Sequence, residues 1–173
     1  MSLAAQDFAL REPSALGALL SQDWRLRRLL TDAELVSAAA RPAAPSVLRQ
    51  LQRHGLIRAL HGVRPQGGRM RVWTLDDAMR ADAALLLSAL SGASLTAAAG
   101  VLGANAALLD RAVAAWPSHL EDSRDRRRDA VLEGDLSRLA ANAETLSRFL
   151  ETAVAGFVAR NRLGEARRPA FLL

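Results

Sequence analysis

The chain has 173 residues, of which half are hydrophobic and 4% are aromatic, and its formal net charge is +5. It contains no cysteine, which excludes disulfides, thiolate metal sites and cysteine nucleophiles. Alanine and leucine dominate and both favour helices, so we expect a mainly α fold with a packed core and not a disordered chain.

All 23 basic residues are arginine, a bias that a GC-rich coding sequence produces and that suggests a bacterial source. No run approaches the roughly 18 apolar residues of a membrane span, and the N-terminus lacks a signal pattern. We therefore expect a cytoplasmic protein. The three histidines, His54, His61 and His119, are far apart along the chain, so no metal site and no cofactor are predicted.

Residues 1–30 are predicted to form an N-terminal helical extension. After a lead-in that ends at Pro13, leucines recur at helical spacing from Ser14 to Leu30, with Trp24 on the same stripe. This pattern predicts one amphipathic helix or two short ones.

Residues 31–54 predict two short helices joined by a turn. Thr31 and Glu34 have the spacing of a capping box, which starts a helix that runs to about Ala40. The second helix spans Pro45–His54, and Gly55 follows it as a typical C-terminal stop.

The apolar period then changes to that of strands. Ile57–Val63 and Met70–Thr74 predict two short strands joined by residues 64–68, a loop rich in turn-forming residues. Thr74 then caps a longer helix that runs to about Leu90. Together, residues 31–90 predict a winged helix-turn-helix domain, with the two strands as its wing.

Residues 91–173 are predicted to form a helical dimerisation or interaction module. Ser94 caps a short helix to Leu102, another helix runs from Asn105 to Trp116, and the last spans about Asp125–Arg160. This last helix carries an a/d seam over about three heptads. The predicted dimer-interface residues in the seam are Leu136, Leu139, Leu146, Leu150 and Phe157. Because the apolar stripe widens late in the helix, packing inside the chain stays open as an alternative.

Basic residues are concentrated in the second helix of the predicted pair and in the predicted wing. From Arg41 through Arg71, here called the basic segment, there are seven arginines, two histidines and no acid. Such a segment suits the phosphates of duplex DNA, and arginine forks also fit the guanine edge. The candidate DNA-binding residues are Ser46, Arg49, Gln50, Arg53, His54, Arg58, His61, Arg64, Arg69 and Arg71.

The spacing of these residues places them on shared faces. Ser46, Arg49, Gln50 and Arg53 follow each other at i, i+3, i+4 and i+7, so they form one polar face of the Pro45–His54 helix. Arg69 and Arg71 alternate with apolar residues and share one face of the second strand. We therefore expect the helix to enter the major groove and the wing arginines to contact phosphate.

Two segments also resemble MerR-type regulators. Residues 47–57, Val-Leu-Arg-Gln-Leu-Gln-Arg-His-Gly-Leu-Ile, resemble the second helix of that family, and residues 68–77, Gly-Arg-Met-Arg-Val-Trp-Thr-Leu-Asp-Asp, resemble its wing. Residues 92–95 are similar to the segment that opens the family's fourth helix. The resemblance covers about residues 31–102, and it implies a winged-helix fold, Arg49 and Arg53 near the DNA, and a dimer on a palindromic operator.

The sequence thus predicts a sequence-specific DNA-binding transcriptional regulator, a homodimer whose partner is double-stranded DNA. The alternative is a protein–protein adaptor, such as an anti-activator or a phage-type packaging component, that uses the winged helix as a scaffold. No nucleophile, base and orienting group stand out together, so no catalytic residues and no enzyme activity are predicted. The sequence identifies neither a small effector nor a partner protein, and binding of either stays open.

Overall fold

A computed structural model of the chain describes residues 24–63, 67–122 and 135–165. The predicted mainly helical fold is confirmed, with a small antiparallel sheet beside the helices. In chain order the elements are α1 (Trp24–Arg27), β1 (Leu29–Leu30), α2 (Asp32–Ala38), α3 (Ser46–Arg53), β2 (Leu60–Val63), β3 (Arg69–Thr74), α4 (Leu75–Ser91), α5 (Leu95–Ala104), α6 (Ala106–Ala114), α7 (His119–Asp122), α8 (Leu136–Ala141) and α9 (Ala143–Arg160), with 3₁₀ turns at Trp116–Ser118 and Leu163–Glu165.

The sheet has three strands in the order β1-β3-β2, and all its pairs are antiparallel. The predicted hairpin of β2 and β3 is confirmed, with His61 opposite Arg71. The strand β1 was not predicted, because the leucines at 29 and 30 continue the helical spacing of the preceding residues. They pair instead with Thr74 and Trp73, more than 40 residues away, and two residues are too few to show a strand period.

Three predicted helix boundaries, the starts at Thr31 and Thr74 and the stop at Gly55, are confirmed by hydrogen bonds. Thr31 and Glu34 form the full capping box of α2, and Thr74 forms another with Asp77 at the start of α4. The helix α3 stops just before Gly55, whose φ of +70° is left-handed. There the Leu56 amide donates to the Leu51 carbonyl at 3.1 Å, a bond that turns the chain toward the sheet.

One hydrophobic core runs from Leu30 in β1 to Leu163 after α9. Trp73 at its centre is fully buried, and α4 contributes a face of alanines and leucines against which α9 and α5 pack. The apolar side of α3 enters the same core through Leu48 and Leu51, both fully buried. The hydrophobic core therefore determines the position of α3, because so short a helix is not stable by itself.

The last predicted helix is shorter than expected and is broken. Residues 123–134 lie outside the described part, and α8 ends at Asn142, whose φ of −124° and ψ of 97° are not helical. The Asn142 side chain accepts hydrogen bonds from the amides of Glu144 and Thr145, so it caps α9. The prediction of one continuous helix over this region was wrong. An asparagine side chain is a good acceptor for the free amides at a helix start, whereas asparagine is a poor residue for the interior of a helix.

The predicted dimer seam lies in the core of the chain. Leu139, Leu146, Leu150 and Phe157 are all 0% exposed, and Leu136 is half-buried against the same core. The helix α9 packs chiefly on α6 and α4, and α8 packs on α9 and α5, so the structure corrects the prediction that these residues face a second copy. The alternative interpretation, packing inside the chain, accounts for the wide apolar stripe.

Among the described residues, no single helix is both long and apolar enough to cross a membrane. The segments Leu95–Ala104 and Ala106–Ser118 meet the criteria of length and composition only as a pair, and that pair is bent by 85°.

Candidate nucleic-acid interface

The short helix α3 presents a polar face whose opposite side is anchored in the core. Leu48 and Leu51 fasten the helix, while Ser46, Arg49 and Arg53 are exposed. Arg49 and Arg53 are one helical turn apart, so their side chains leave the helix on the same side. Within the described ranges, no carboxylate pairs with either guanidinium. Both forks can therefore donate to a ligand.

Gln50 belongs to the same predicted face but is held differently. It is half-buried, and its side-chain amide donates a hydrogen bond to Thr96 Oγ1 at 2.8 Å. Thr96 lies in the first turn of α5, so this bond connects α3 to the next helical layer. Gln50 thus has a supporting contact that the sequence did not predict, because the two residues are 46 positions apart.

The residues that follow α3 keep their basic side chains exposed. His54, Arg58 and His61 are all exposed, as is Arg41 in the turn before α3. The Arg58 backbone amide donates to Asp77 Oδ1 at 3.1 Å, whereas the Arg58 side chain is exposed at the surface. The exposure of these four side chains is compatible with the predicted basic surface, which stays a prediction.

The two arginines of β3 differ. Arg69 is exposed at the start of the strand, opposite Val63. Arg71 is partly buried and forms an ion pair with Asp32, whose other oxygen accepts a 2.7 Å hydrogen bond from Trp73 Nε1. The guanidinium carbon of Arg71 lies 5.9 Å from the centroid of the Trp73 ring. Arg71 is therefore tied to α2, and the prediction that it contacts phosphate is corrected.

The physical reason for this correction is a carboxylate from outside the basic segment. Asp32 is the first residue of α2, 39 positions before Arg71, and the capped start of α2 lies against β3. The lack of acids within residues 41–71 describes only the local chain, whereas ion pairing depends on neighbours in space. Arg64, the remaining predicted wing contact, lies outside the described residues.

Among the described residues, no group of three or more His, Asp or Glu side chains lies close enough together to hold a metal ion. Comparisons with known protein families, with curated proteins and with solved structures found no match to this chain.

Proposed function

We propose that the protein is a sequence-specific DNA-binding transcriptional regulator built on a winged helix-turn-helix. The observation that carries the proposal is that Arg49 and Arg53, for which the described part of the chain offers no carboxylate partner, lie on the exposed face of a helix whose opposite face is anchored by the buried Leu48 and Leu51. An arginine fork donates bidentately to O6 and N7 of guanine in the major groove, which is the commonest specific contact to a base.

The order of the elements supports this proposal. From α1 to β3 the chain runs helix, strand, helix, helix, strand, strand, and β3 lies between the other two strands. This is the order of winged helix-turn-helix domains, in which the second helix of the pair enters the groove and the hairpin flanks it. The resemblance of residues 31–102 to MerR-type regulators belongs to the same proposal.

Size and charge agree with this role. A helix with its side chains is about 10–12 Å across and therefore fits the major groove, which is about 12 Å wide, and the eight residues of α3 extend for about 12 Å. Arg41, Arg58 and Arg69 are exposed on the flanking segments and are the candidates for phosphate contacts. Dimerisation on a palindromic site is part of the proposal, but it requires a surface other than the buried seam of α8 and α9.

The test begins with selection of preferred duplexes from a random pool. Arg49→Ala and Arg53→Ala should each weaken binding to the selected duplex by about 1–3 kcal/mol and relax the base preference at one position. Arg69→Ala should weaken binding to all duplexes alike and reduce the salt slope by about 1, because one phosphate contact is lost.

Arg111→Ala is the matched control, because Arg111 is an exposed arginine on α6, outside the basic segment. It should bind the selected duplex as the parent does. If the parent enriches no motif and binds duplex without salt dependence, the regulator proposal is wrong and the adaptor alternative is favoured.

A further inference from the structure

A buried acid on α4 links the helix-turn-helix to the end of the last helix. Asp82 is 1% exposed, and its two oxygens have different partners. One accepts a 2.7 Å hydrogen bond from the Ala40 backbone amide, and the other accepts a 2.7 Å bond from Arg160 Nη2. Ala40 belongs to the turn of residues 39–45 that joins α2 to α3, whereas Arg160 is the last residue of α9.

The next residue of the chain makes a second connection, to the last residue of α2 just before this turn. Asn161 is buried, and its side-chain amide donates to the carbonyls of Ala38 and Phe157, both at 3.0 Å. The backbone carbonyl of Asn161 accepts a bond from Arg25 Nε. The end of α9 therefore contacts both sides of the point where α2 stops and the turn begins.

Burying the Asp82 carboxylate lowers the stability of the fold unless all its hydrogen-bond partners are present. Burial raises the pKa of the Asp82 carboxyl above its ordinary value, while the Arg160 guanidinium and the Ala40 amide act in the opposite direction. An apolar residue would fill the same space without this cost. Unlike apolar contacts, the hydrogen bonds of Asp82 and Asn161 are directional, so they define where the turn lies relative to α4 and α9.

The position of this turn determines the orientation of α3. Asp82 holds Ala40 in the turn, and Asn161 holds the end of α2 from which the turn starts. The helix α3 itself is held by the buried Leu48 and Leu51 and by the bond from Gln50 to Thr96. A shift of the turn would therefore rotate or translate α3 against the core, together with the forks of Arg49 and Arg53.

We propose that Asp82, Arg160 and Asn161 form a turn clamp. These positioning residues hold α3 in the orientation that DNA binding requires, and they do not themselves contact DNA. This inference rests on the proposed function and extends it, because it makes the C-terminal end of α9 part of the reading apparatus. Bidentate contacts tolerate little misplacement, so loosening the clamp lowers the affinity for the preferred duplex.

The experiment compares Arg160→Met with Arg162→Met. Both remove one positive charge within two residues of each other, but Arg162 is exposed and its partner is the surface residue Glu165. Arg160→Met should weaken binding to the selected duplex by about 3- to 30-fold, the usual range of coupling between distant sites. The salt slope should stay that of the parent, because no phosphate contact is lost. Arg160→Lys, which keeps a donor for Asp82, should restore much of the affinity.

A second readout is independent of DNA. Hydrogen exchange at the Ala40 amide should be faster in Arg160→Met than in the parent or in Arg162→Met, because the acceptor of that amide loses its partner. If Arg160→Met does not fold, Asn161→Ala serves instead, since it removes the donor to the end of α2 where the turn starts and leaves no buried charge unpaired. It should also lower the affinity for the selected duplex.

Each possible result decides the inference. Equal loss of affinity in Arg160→Met and Arg162→Met would show an effect of net charge only, and unchanged affinity in Arg160→Met and Asn161→Ala would also overturn the clamp. Unchanged exchange at Ala40 would overturn it whatever the DNA result. A parent that binds no duplex refutes the proposed function, and with it the role of the clamp in DNA binding, while faster exchange at Ala40 would still show the physical coupling.

Discussion

At the scale of single residues, Arg69 and Arg71 show how neighbours in space decide what a side chain can do. Both belong to the basic segment, and strand alternation places them on the same face of β3. Only Arg69 is exposed, whereas Arg71 and its partner Asp32 have side chains that are 28% and 27% exposed. Arg69 has no ion-pair partner among the residues that the structure describes and is exposed to bind an anion, whereas Arg71 holds β3 against α2.

This difference predicts that two similar substitutions change the free energy of unfolding by different amounts. Arg71→Ala should lower the free energy of unfolding by about 1–3 kcal/mol, because Asp32 loses a charged hydrogen-bond partner in a partly buried site. Arg69→Ala should change it by less than about 0.5 kcal/mol. Urea unfolding of the two variants measures both values. A loss of stability in Arg69→Ala as large as that in Arg71→Ala would contradict this assignment.

At the scale of the elements, local capping residues determine where helices begin, and a cap can also divide a helix. Thr31, Thr74 and Ser94 each accept a hydrogen bond from a first-turn amide, as predicted from their positions before helical segments. Asn142 does the same between α8 and α9, in a region where the apolar period alone predicts one continuous helix. The period follows the buried face, which continues across the break, and so it does not reveal the break.

The break at Asn142 makes a second prediction. Asn142→Ala should lower the free energy of unfolding by about 1 kcal/mol, because the amides of Glu144 and Thr145 lose their acceptor. Helix propensity alone predicts the opposite, since alanine is the better helix former. Chemical unfolding distinguishes the two. Higher stability in the variant would mean that α8 and α9 can join into one helix at no cost.

At the scale of the whole molecule, the hydrophobic core uses the surface that the heptad spacing assigned to a partner. A stripe of leucines at intervals of three and four has the same spacing whether it faces another chain or its own. Here α6 and α4 cover the stripe, and Leu150 at its centre is fully buried.

The burial of this stripe predicts the behaviour of a core variant. Leu150→Ala should lower the free energy of unfolding by about 2–5 kcal/mol, because it leaves a cavity in the core. The oligomeric state, measured by light scattering over about a hundredfold range of concentration, should stay that of the parent. A change from dimer to monomer with little loss of stability would place Leu150 back in an interface.

The sequence by itself determined the features that depend on residues close together in the chain. The capping boxes at Thr31 and Thr74, the stop at Gly55, the β2–β3 hairpin and the exposed arginines of α3 are all encoded within a few positions. Their signals are hydrogen bonds between near neighbours and the period of one apolar face, which remain readable before the chain folds.

Only the tertiary structure decided which surfaces remain free. The pairing of β1 with β3, the ion pair of Arg71 with Asp32 and the bond of Arg160 to Asp82 join residues that are distant in the chain, up to 78 positions apart for the last. Burial and electrostatic pairing depend on distance in space, and packing creates those distances. A local pattern can therefore identify a charged or apolar face, but the complete fold determines what covers it.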